Sequence, residues 1–243
     1  MILGILQARC SSTRFPGKVL ASILGEPMVL RQVERLRRSE CLDELVVATS
    51  VDPSDDPLVR VLRDAGVEVR RGPLDDVVER FAGVAAEFPA DQLVRLTADC
   101  PLADPTVIDT VIRTHLARGS DYTSNTLVPT FPDGLDVECV TAGAFARLLE
   151  LPLTAREREH VTLGLYGRPD EFRLENVTQD PDRSSLRWTV DVPEDLEFVR
   201  AIYSRLYDED NGFGQARILS LLAEFPELNR TDQDLARNAG LGN

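Results

Sequence analysis

The sequence predicts an α/β fold, a single domain built on a mostly parallel β-sheet flanked by helices. The chain has 243 residues, 43% of them hydrophobic and 28% charged, which is typical of soluble globular proteins. In the first half, short apolar runs alternate with amphipathic stretches, as in βαβ units with a parallel sheet. No repeat, linker or low-complexity segment divides the chain, so we expect one domain rather than two.

The strands of the first half are predicted from short apolar runs, which are typical of strands buried on both faces. The first run follows directly on Met1 and leads into a polar loop. Each later run is bounded by turn residues or by a helical pattern. The predicted strands are Ile2–Leu6, Glu44–Thr49, Val67–Arg70 and Gln92–Thr97.

Amphipathic stretches between these runs predict helices. Pro27 suits the first turn of the first helix, because its missing N–H is not needed there. Gly66 suits the end of the second helix, where a left-handed residue is favoured. The predicted helices are Pro27–Arg38, Asp56–Ala65, Leu74–Ala86 and Pro105–Ala117.

The pattern is looser after residue 119, where we expect a small mixed β insertion at about residues 121–180. It lies within a domain of residues 1–228, and the polar residues 229–243 read as a tail that frays. The predicted strands are Asp121–Ser124, Leu135–Val140, Phe172–Val177 and Leu186–Val190. The predicted helices are Thr141–Leu149, Thr154–Tyr166, Pro193–Leu206 and Gln215–Phe225.

Charge and cysteine usage exclude several classes of function. The 27 basic and 41 acidic residues give a net charge of −14, which disfavours binding to nucleic acid or anionic lipid but permits a small basic pocket. No apolar run approaches the ~20 residues of a membrane span, and residues 1–6 lack the features of a signal peptide. The four scattered cysteines and two histidines make a zinc cluster improbable and predict a reducing cytoplasm.

A polar loop, residues 7–18, follows the first strand. It carries the hydroxyl groups of Ser11, Ser12 and Thr13 and three cations, and ligands of open α/β sheets lie at such strand ends. The loop is neither a Walker loop nor a GxGxxG loop. Its composition favours a phosphate-binding loop over the alternative, a solvated polar loop. The three cations are Arg9, Arg14 and Lys18.

Asp99 and Asp191 each follow a predicted strand. Strand ends at one edge of a sheet bring such residues together, and two close carboxylates repel unless a cation lies between them. Hard oxygen ligands suit Mg²⁺ better than zinc. The alternatives are a turn residue for Asp99 and a helix N-cap for Asp191.

Several segments together resemble the cytidylyltransferases that activate acidic sugars, a family that includes CMP-Kdo synthetases, acylneuraminate cytidylyltransferases and the spore-coat polysaccharide type. The likeness is greatest to the spore-coat type and spans most of residues 1–205. Each segment is a weak signal, but their order is specific. The matching segments are 8–14, 16–18, 71–81, 95–105, 124–126, 132–138, 158–162 and 188–196.

The resemblance implies a Rossmann-like nucleotidyltransferase domain and gives roles to residues. Arg9, Ser12 and Lys18 would contact the CTP phosphates, with Lys18 and Arg9 catalytic, and Asp99 and Asp191 would bind Mg²⁺, for which Mn²⁺ can substitute. Thr97 stands where CMP-Kdo synthetases have glutamine, and Thr189 where some relatives carry a further aspartate. The implied nucleotide-binding residues are Ala8, Arg9, Ser11, Ser12, Lys18, Arg71, Thr97 and Ala98.

The acceptor site is expected in the insertion, which relatives also use to form a dimer. An arginine there would bind an acceptor carboxylate or phosphonate, although Arg156 and Arg158 equally fit solvated charges. His160 is a candidate general base, although a lone histidine more often has a structural role. The candidate acceptor residues are Asn125, Asp136, Glu138, Arg156, Arg158, His160 and Arg187, and they lie near Tyr122, Ser124 and Asp133.

The expected function is therefore Mg²⁺-dependent transfer of CMP from CTP to a small anionic acceptor, such as a nonulosonate or a Kdo-like acid, with release of pyrophosphate. We expect a cytoplasmic homodimer without nucleic-acid or membrane partners. A phosphonate cytidylyltransferase is one alternative. A GT-A-like glycosyltransferase is another, although the DxD motif that is usual in that class does not follow the fourth predicted strand. An inactive nucleotide-binding module is a third, although the presence of Lys18, Asp99 and Asp191 argues against it.

Overall fold

The computed structural model describes residues 1–231. The strands of this part of the chain are short, and most follow the apolar runs of the sequence. They are β1 (Ile2–Gln7), β2 (Ser22–Ile23), β3 (Glu26–Pro27), β4 (Glu44–Ser50), β5 (Val69–Gly72), β6 (Gln92–Thr97), β7 (Tyr122–Ser124), β8 (Glu138–Thr141) and β9 (Leu174–Asn176).

The helices alternate with the strands in the first half and are grouped in the second. They are α1 (Met28–Leu36), α2 (Asp56–Asp64), α3 (Val77–Glu87), α4 (Pro105–Arg118), α5 (Ala142–Leu149), α6 (Ala155–Glu159), α7 (Leu163–Tyr166), α8 (Pro193–Leu206) and α9 (Gln215–Glu224). Side chains cap several of them: Asp76 accepts from the N–H of Glu79, and Asp104 from that of Thr106. Gly119, at φ 60°, ends α4, as the left-handed preference of glycine predicts.

Seven strands form one sheet in the order β5-β4-β1-β6-β8-β7-β9. The first four are mutually parallel, β8 runs antiparallel to both β6 and β7, and β9 is parallel to β7. The predicted α/β class and mostly parallel sheet are confirmed. The strands expected in a mixed insertion extend this same sheet.

Two apolar layers cover the two faces of the sheet. Strand residues alternate between them: Leu3 and Ile5 of β1 face one layer and Leu6 faces the other, as the two-residue period of a strand requires. The first layer contains α3 and α5, and the second contains α1, α2, α4, α8 and α9. The four parallel strands therefore direct their carboxyl ends to a single edge of the molecule.

Two strand predictions in the second half are wrong in part. Residues 186–190 form isolated bridges outside the sheet, and residues 135–137 precede β8 without joining the ladder. The side chain of Asn125 binds the carbonyl of Leu135 and the N–H of Val137, at 2.8 and 2.9 Å. Residues 186–188 bind the turn at Asp133 instead of a strand: the N–H of Asp133 donates to the carbonyl of Leu186 at 2.9 Å, and that of Trp188 to the carbonyl of Asp133 at 2.6 Å. Gly134, at φ 109°, lets them touch, since a Cβ there would lie 2.6 Å from the nitrogen of Thr189.

The predicted helix Thr154–Tyr166 is interrupted. His160 has a non-helical ψ of 80° between α6 and α7, and the hydroxyl of Thr162 donates to Glu138 Oε1 at 2.5 Å. This bond turns the chain toward the sheet. The β2–β3 hairpin was not predicted, and its turn places Leu24 and Gly25 at positive φ.

The expected tail lies largely outside the described residues, but its first part is bound. The N–H of Arg187 donates to the carbonyl of Arg230 at 3.0 Å. Arg230 Nη2 also donates to Asp195 at 2.8 Å. None of the helices in residues 1–231 has the length and apolar character needed to cross a membrane.

Candidate functional site

Two adjoining cavities lie at the carboxyl ends of the parallel strands. The first cavity, of about 600 Å³, is bounded by the loop after β1, the end of β6, α3 and the end of α6. The second cavity, of about 450 Å³, is bounded by β6, β8, the break between α6 and α7, and residues 187–191. Six residues line both: Arg14, Arg95, Thr97, Asp99, His160 and Asp191.

The loop after β1 is held in a closed shape. The carbonyl of Cys10 accepts from the N–H groups of Ser12 and Gly17 at 2.9 and 2.8 Å, and Gly17 has a φ of 73°. Buried Asp55 accepts from the N–H of Cys10 at 2.6 Å and from that of Ser50 at 3.1 Å. The loop is thereby fixed to the end of β4, so its cations face the cavities from a rigid support.

Lys18, the only lysine of the chain, lies between the two predicted metal ligands. Its Nζ is 3.4 Å from Asp99 Oδ2 and 3.1 Å from Asp191 Oδ1, and it donates to the carbonyl of Val190 at 2.6 Å. Burial opposes the charge, but the two carboxylates outweigh it and raise the pKa of Lys18. Burial likewise opposes ionisation of Asp99, yet Lys18 holds the pKa of that carboxyl below its usual value.

Asp191 reaches this position although the strand predicted before it does not form. The hydroxyl of Thr189 and the N–H of Val190 both donate to the carbonyl of Asp99, at 3.1 and 2.8 Å. The N–H of Asp191 donates to buried Asp195 at 2.9 Å. Arg187 binds Asp195 Oδ2 at 3.1 Å and Asp191 Oδ2 at 2.9 Å. This network, not a sheet ladder, positions Asp191.

The pair Asp99 and Asp191 fits a divalent cation in part. The Lys18 ammonium already occupies the space between the two carboxylates, so the pair holds a positive charge. Within residues 1–231 no group of three or more His, Cys, Asp and Glu side chains could hold a metal ion. Mg²⁺ commonly takes one or two carboxylates and completes its shell with phosphate oxygens and waters, so the donor set fits a metal that arrives with a nucleotide.

The first cavity is rich in positive charge. Arg9, Arg14, Lys18, Arg80 and Arg95 line it, against three carboxylates. Exposed Arg9 lines it together with Ala8, Ser12 and Ala98. A cavity of this character suits a polyanion such as a triphosphate.

Two residues predicted to bind the nucleotide lie outside both sets of lining residues. Arg71 donates to the carbonyls of Ser50 and Asp52 at 2.8 and 2.9 Å and pairs with Asp56 at 2.7 Å. It therefore fixes the loop after β4. Ser11 has a buried hydroxyl without a hydrogen-bond partner in the structure, and it lines neither cavity.

The second cavity carries more negative than positive charge. Its carboxylates are Asp99, Asp133, Asp136, Glu138 and Asp191, and its arginines are Arg14, Arg95 and Arg187. Each arginine forms an ion pair with one of these carboxylates. Such a surface offers many acceptors to hydroxyl groups and repels a dianion.

Glu138 is the most enclosed of these acids. It pairs with Arg95 and accepts from the hydroxyl groups of Tyr122 and Thr162, both at 2.5 Å. Burial alone would raise the pKa of Glu138, but Arg95 and the two hydroxyls lower it. Glu138 is thus an ionised anchor that ties β8 to the α6–α7 break.

The structure does not bring three of the predicted acceptor residues to the cavity. Asn125 is fully buried and binds the carbonyl of Leu135 and the N–H of Val137, at 2.8 and 2.9 Å. Arg158 pairs with Asp76 at 2.7 Å, and Arg156 is an exposed residue of α6. Neither arginine lines either cavity.

Arg187 and His160 do lie at the site. Arg187 is 3% exposed and binds several aspartates, so it supports the site rather than offering a free cation. His160 lines both cavities. Burial, aided by nearby arginines, lowers the pKa of His160, which leaves its imidazole largely neutral at pH 7.

Sequence reasoning missed Gln7, Arg80 and Arg95 as site residues. Arg95 had a usable signal, since it is the only charged residue of strand β6 and a charge in a buried strand needs a partner. Its Nε donates to Gln7 Oε1 at 2.8 Å, and it pairs with Glu138. Arg80 is buried where α3 passes Gly72, a contact that sequence spacing alone does not show.

Comparison with known proteins gives consistent matches. The family described as cytidylyltransferase matches residues 3–222. A spore coat polysaccharide biosynthesis protein of Bacillus subtilis is 32% identical over 234 residues, 93% of this chain and 95% of that protein. A 3-deoxy-manno-octulosonate cytidylyltransferase of Geobacter metallireducens is 38% identical over 121 residues, 49% of this chain and 46% of that enzyme. The solved structure of a cytidylyltransferase from Leptospira borgpetersenii superposes with a TM-score of 0.89 at 26% identity, covering 97% of this chain and 99% of that one.

Proposed function

The chain belongs to the cytidylyltransferase family, and from this premise we propose that it transfers CMP from CTP to a hydroxyl group of a sugar acid and releases pyrophosphate. The observation that carries the proposal is Lys18, held between Asp99 and Asp191 where the two cavities meet. A triphosphate in the first cavity and an acceptor in the second would meet at that point.

The first cavity supplies the nucleotide site. Its loop cations are fixed before the nucleotide arrives, so little reorganisation is needed at the moment of reaction. Lys18 would move its hydrogen bonds from the carboxylates to phosphate oxygens as negative charge gathers on the leaving pyrophosphate. Asp99 and Asp191 would hold Mg²⁺ or Mn²⁺, which when bound supplies positive charge to the phosphates.

The second cavity supplies the acceptor site. The acceptor oxygen would attack the α-phosphorus in line with the departing pyrophosphate, and the protein acts by positioning the two reactants. We assign largely neutral His160, which lines both cavities, to accept the hydrogen bond and then the proton of the attacking hydroxyl, as its oxygen bonds to the α-phosphorus and the bond from that phosphorus to pyrophosphate breaks.

The charge of the second cavity favours a sugar over a phosphonate. Its five carboxylates can accept hydrogen bonds from several sugar hydroxyls, whereas a phosphonate dianion would meet repulsion from them. The Geobacter relative, whose name specifies an octulosonate, also points to a sugar acid. The arginines of α6 do not contribute, because neither lines a cavity.

The test is pyrophosphate release from CTP and Mg²⁺ with a panel of sugar acids, neutral sugars and phosphonates. We expect release with CTP and with one or more sugar acids, and loss of release in Lys18→Met. Release with phosphonates alone would overturn the acceptor assignment. Turnover with neither class, in protein that binds no CTP, would overturn the proposed function.

We also propose a two-fold homodimer through the region of residues 121–140, because a two-fold pair is the commonest oligomer and Val128 in this region is 64% exposed. Light scattering should give about twice the 26.9 kDa chain mass. A particle of the single-chain mass at micromolar concentration would exclude the dimer.

We place the enzyme in a reducing cytoplasm, which agrees with its cysteines. All four are free thiols, and two of them, Cys100 and Cys139, are buried. Burial raises the pKa of Cys139 to about 12, so this thiol stays protonated and unreactive.

A further inference from the structure

Two buried hydrogen-bond donors in the first cavity have no partner. They are Gln7 Nε2 and Arg80 Nε. Both side chains line the cavity, and their exposed fractions are 9% and 4%. A buried donor without an acceptor costs stability, so each is explained most simply by a ligand that brings the missing acceptor.

The amide of Gln7 has a defined orientation. Its Oε1 accepts from Arg95 Nε at 2.8 Å, and a guanidinium can only donate. The NH₂ group is therefore the end without a partner. Because Gln7 is the last residue of β1, it lies at the strand end where ligands of this fold class bind.

The position of Arg80 is fixed by backbone contacts. Its Nη1 donates to the carbonyls of Pro73 and Leu74 at 3.0 and 3.4 Å. A Cβ on Gly72 would lie 2.9 Å from Arg80 Cα, so only glycine permits this approach. Burial, together with repulsion from Arg9, lowers the pKa of Arg80 to about 10. The side chain is thus held in place without a carboxylate pair.

Both donors lie on regular elements, outside the run of loop cations. Gln7 is on β1 and Arg80 is on α3, while the cations assigned to the phosphates belong to residues 9–18. The apolar side chains of Ala8, Val19 and Val77 line the same cavity. Buried donors beside apolar side chains suit a flat, neutral ring with acceptors on its edge, because small-molecule sites combine apolar walls with a few placed polar groups.

We propose that Gln7 and Arg80 select the nucleobase by donating to the two adjacent acceptors of cytosine, O2 and N3. This inference rests on the proposed function, which places the nucleotide in the first cavity. Uracil carries N3–H in place of the N3 lone pair, so one donor would face another donor. A site built to donate to a ligand atom discriminates strongly when that acceptor is missing.

The test compares binding of CTP and UTP by calorimetry, in Mg²⁺, to the wild type, Gln7→Leu and Arg80→Met. Arg31→Met is the matched control, because Arg31 is likewise a buried arginine that donates to backbone carbonyls, those of Ile23 and Leu24, but lines neither cavity. We expect CTP affinity to fall about tenfold or more in each cavity variant. Because uracil keeps the O2 acceptor and lacks only the N3 acceptor, UTP affinity should fall by less than about threefold in at least one of the two variants, the one that loses the donor to N3. The control should match the wild type.

Each other outcome has a definite meaning. Equal losses for CTP and UTP in both variants would show that neither donor distinguishes the N3 atom of the base, and this would overturn the inference. Unchanged affinity for both nucleotides would show that neither donor touches the ligand. Wild-type protein that binds neither CTP nor UTP would refute the proposed function and the inference with it. If Arg80→Met fails to fold, Gln7→Leu, which alters a neutral side chain, still decides the question.

Discussion

Replacing Lys18 with methionine tests the centre of the proposed site. Methionine keeps the length of the side chain but removes the ammonium group. In the structure that group contacts Asp99, Asp191 and the carbonyl of Val190. The substitution therefore removes one fixed positive charge from the point where the cavities meet, while the 9% exposed stem is preserved.

The expected loss of activity follows from that charge. Removing one preorganised donor from a developing oxyanion lowers kcat by about 10²–10³-fold, or about 3–4 kcal/mol of barrier. We expect a loss of this size in kcat/KM for pyrophosphate release. Lys18→Met activity within about threefold of the wild type would refute the assignment of Lys18 to the phosphates.

The same variant should also change stability with pH. Because Lys18 lowers the pKa of Asp99 in the folded state, the pair stabilises the fold above the unfolded pKa of about 4, and this stability is lost as pH falls through the folded value. In urea unfolding at pH 7 we expect Lys18→Met to be about 1–3 kcal/mol less stable, with the difference shrinking toward pH 3. Arg158→Met, which breaks the surface pair with Asp76, is the control for both assays. A difference that grew on acidification would contradict the pairing.

Further predictions concern the metal, the acceptor site and a buried histidine. EDTA should abolish turnover and Mg²⁺ or Mn²⁺ should restore it, and Asp99→Asn or Asp191→Asn should each lower kcat by about 10²-fold or more; turnover by both variants in EDTA would make the pair structural. His160→Asn should raise the acceptor KM more than the CTP KM, whereas Arg158→Ala should alter neither; the reverse pattern would move the acceptor site to α6. Burial lowers the pKa of His115 to about 4 from 6.5, so the folded state favours the neutral ring and stability is lost as pH falls from 6.5 to 4. Relative to His115→Gln, the wild type should lose about 3 kcal/mol of unfolding free energy over that range, and parallel pH curves would contradict the shift.

The parallel half of the sheet could be predicted because each of its strands has a signal in its own residues. β1, β4 and β6 are apolar runs, and the helices between them have one apolar face and recognisable caps. Residues 186–190 have the same apolar character, but Val190 and Trp188 pair with Asp99 and Asp133 in loops. A short apolar run predicts burial, whereas its hydrogen-bond partner is decided by the tertiary structure.

The site residues likewise fall into those that a local sequence signal locates and those that only the tertiary structure positions. Lys18 and Asp99 lie directly beside β1 and β6, so strand ends locate them. Asp191 lies at the expected edge of the sheet, but the expected strand before it does not form. The ion pairs of Arg187 with Asp191 and Asp195 hold it there instead. The predictions in the insertion were less accurate, because surface ion pairs such as Arg158 with Asp76 look the same in sequence as ligand-binding arginines.

The single lysine of this arginine-rich chain makes the site unusually simple to observe. Protein grown with ¹⁵N-labelled lysine would carry one side-chain ammonium resonance, and its three hydrogen-bond partners would slow proton exchange enough to make it visible. That one signal would report charge and occupancy at the junction of the cavities without assignment of any other resonance. The same feature directs amine-reactive chemistry: because the Lys18 ammonium is buried and held protonated by its partners, a dye, biotin or crosslinker would attach at the exposed N-terminal amine, so immobilisation through amines would leave the site free.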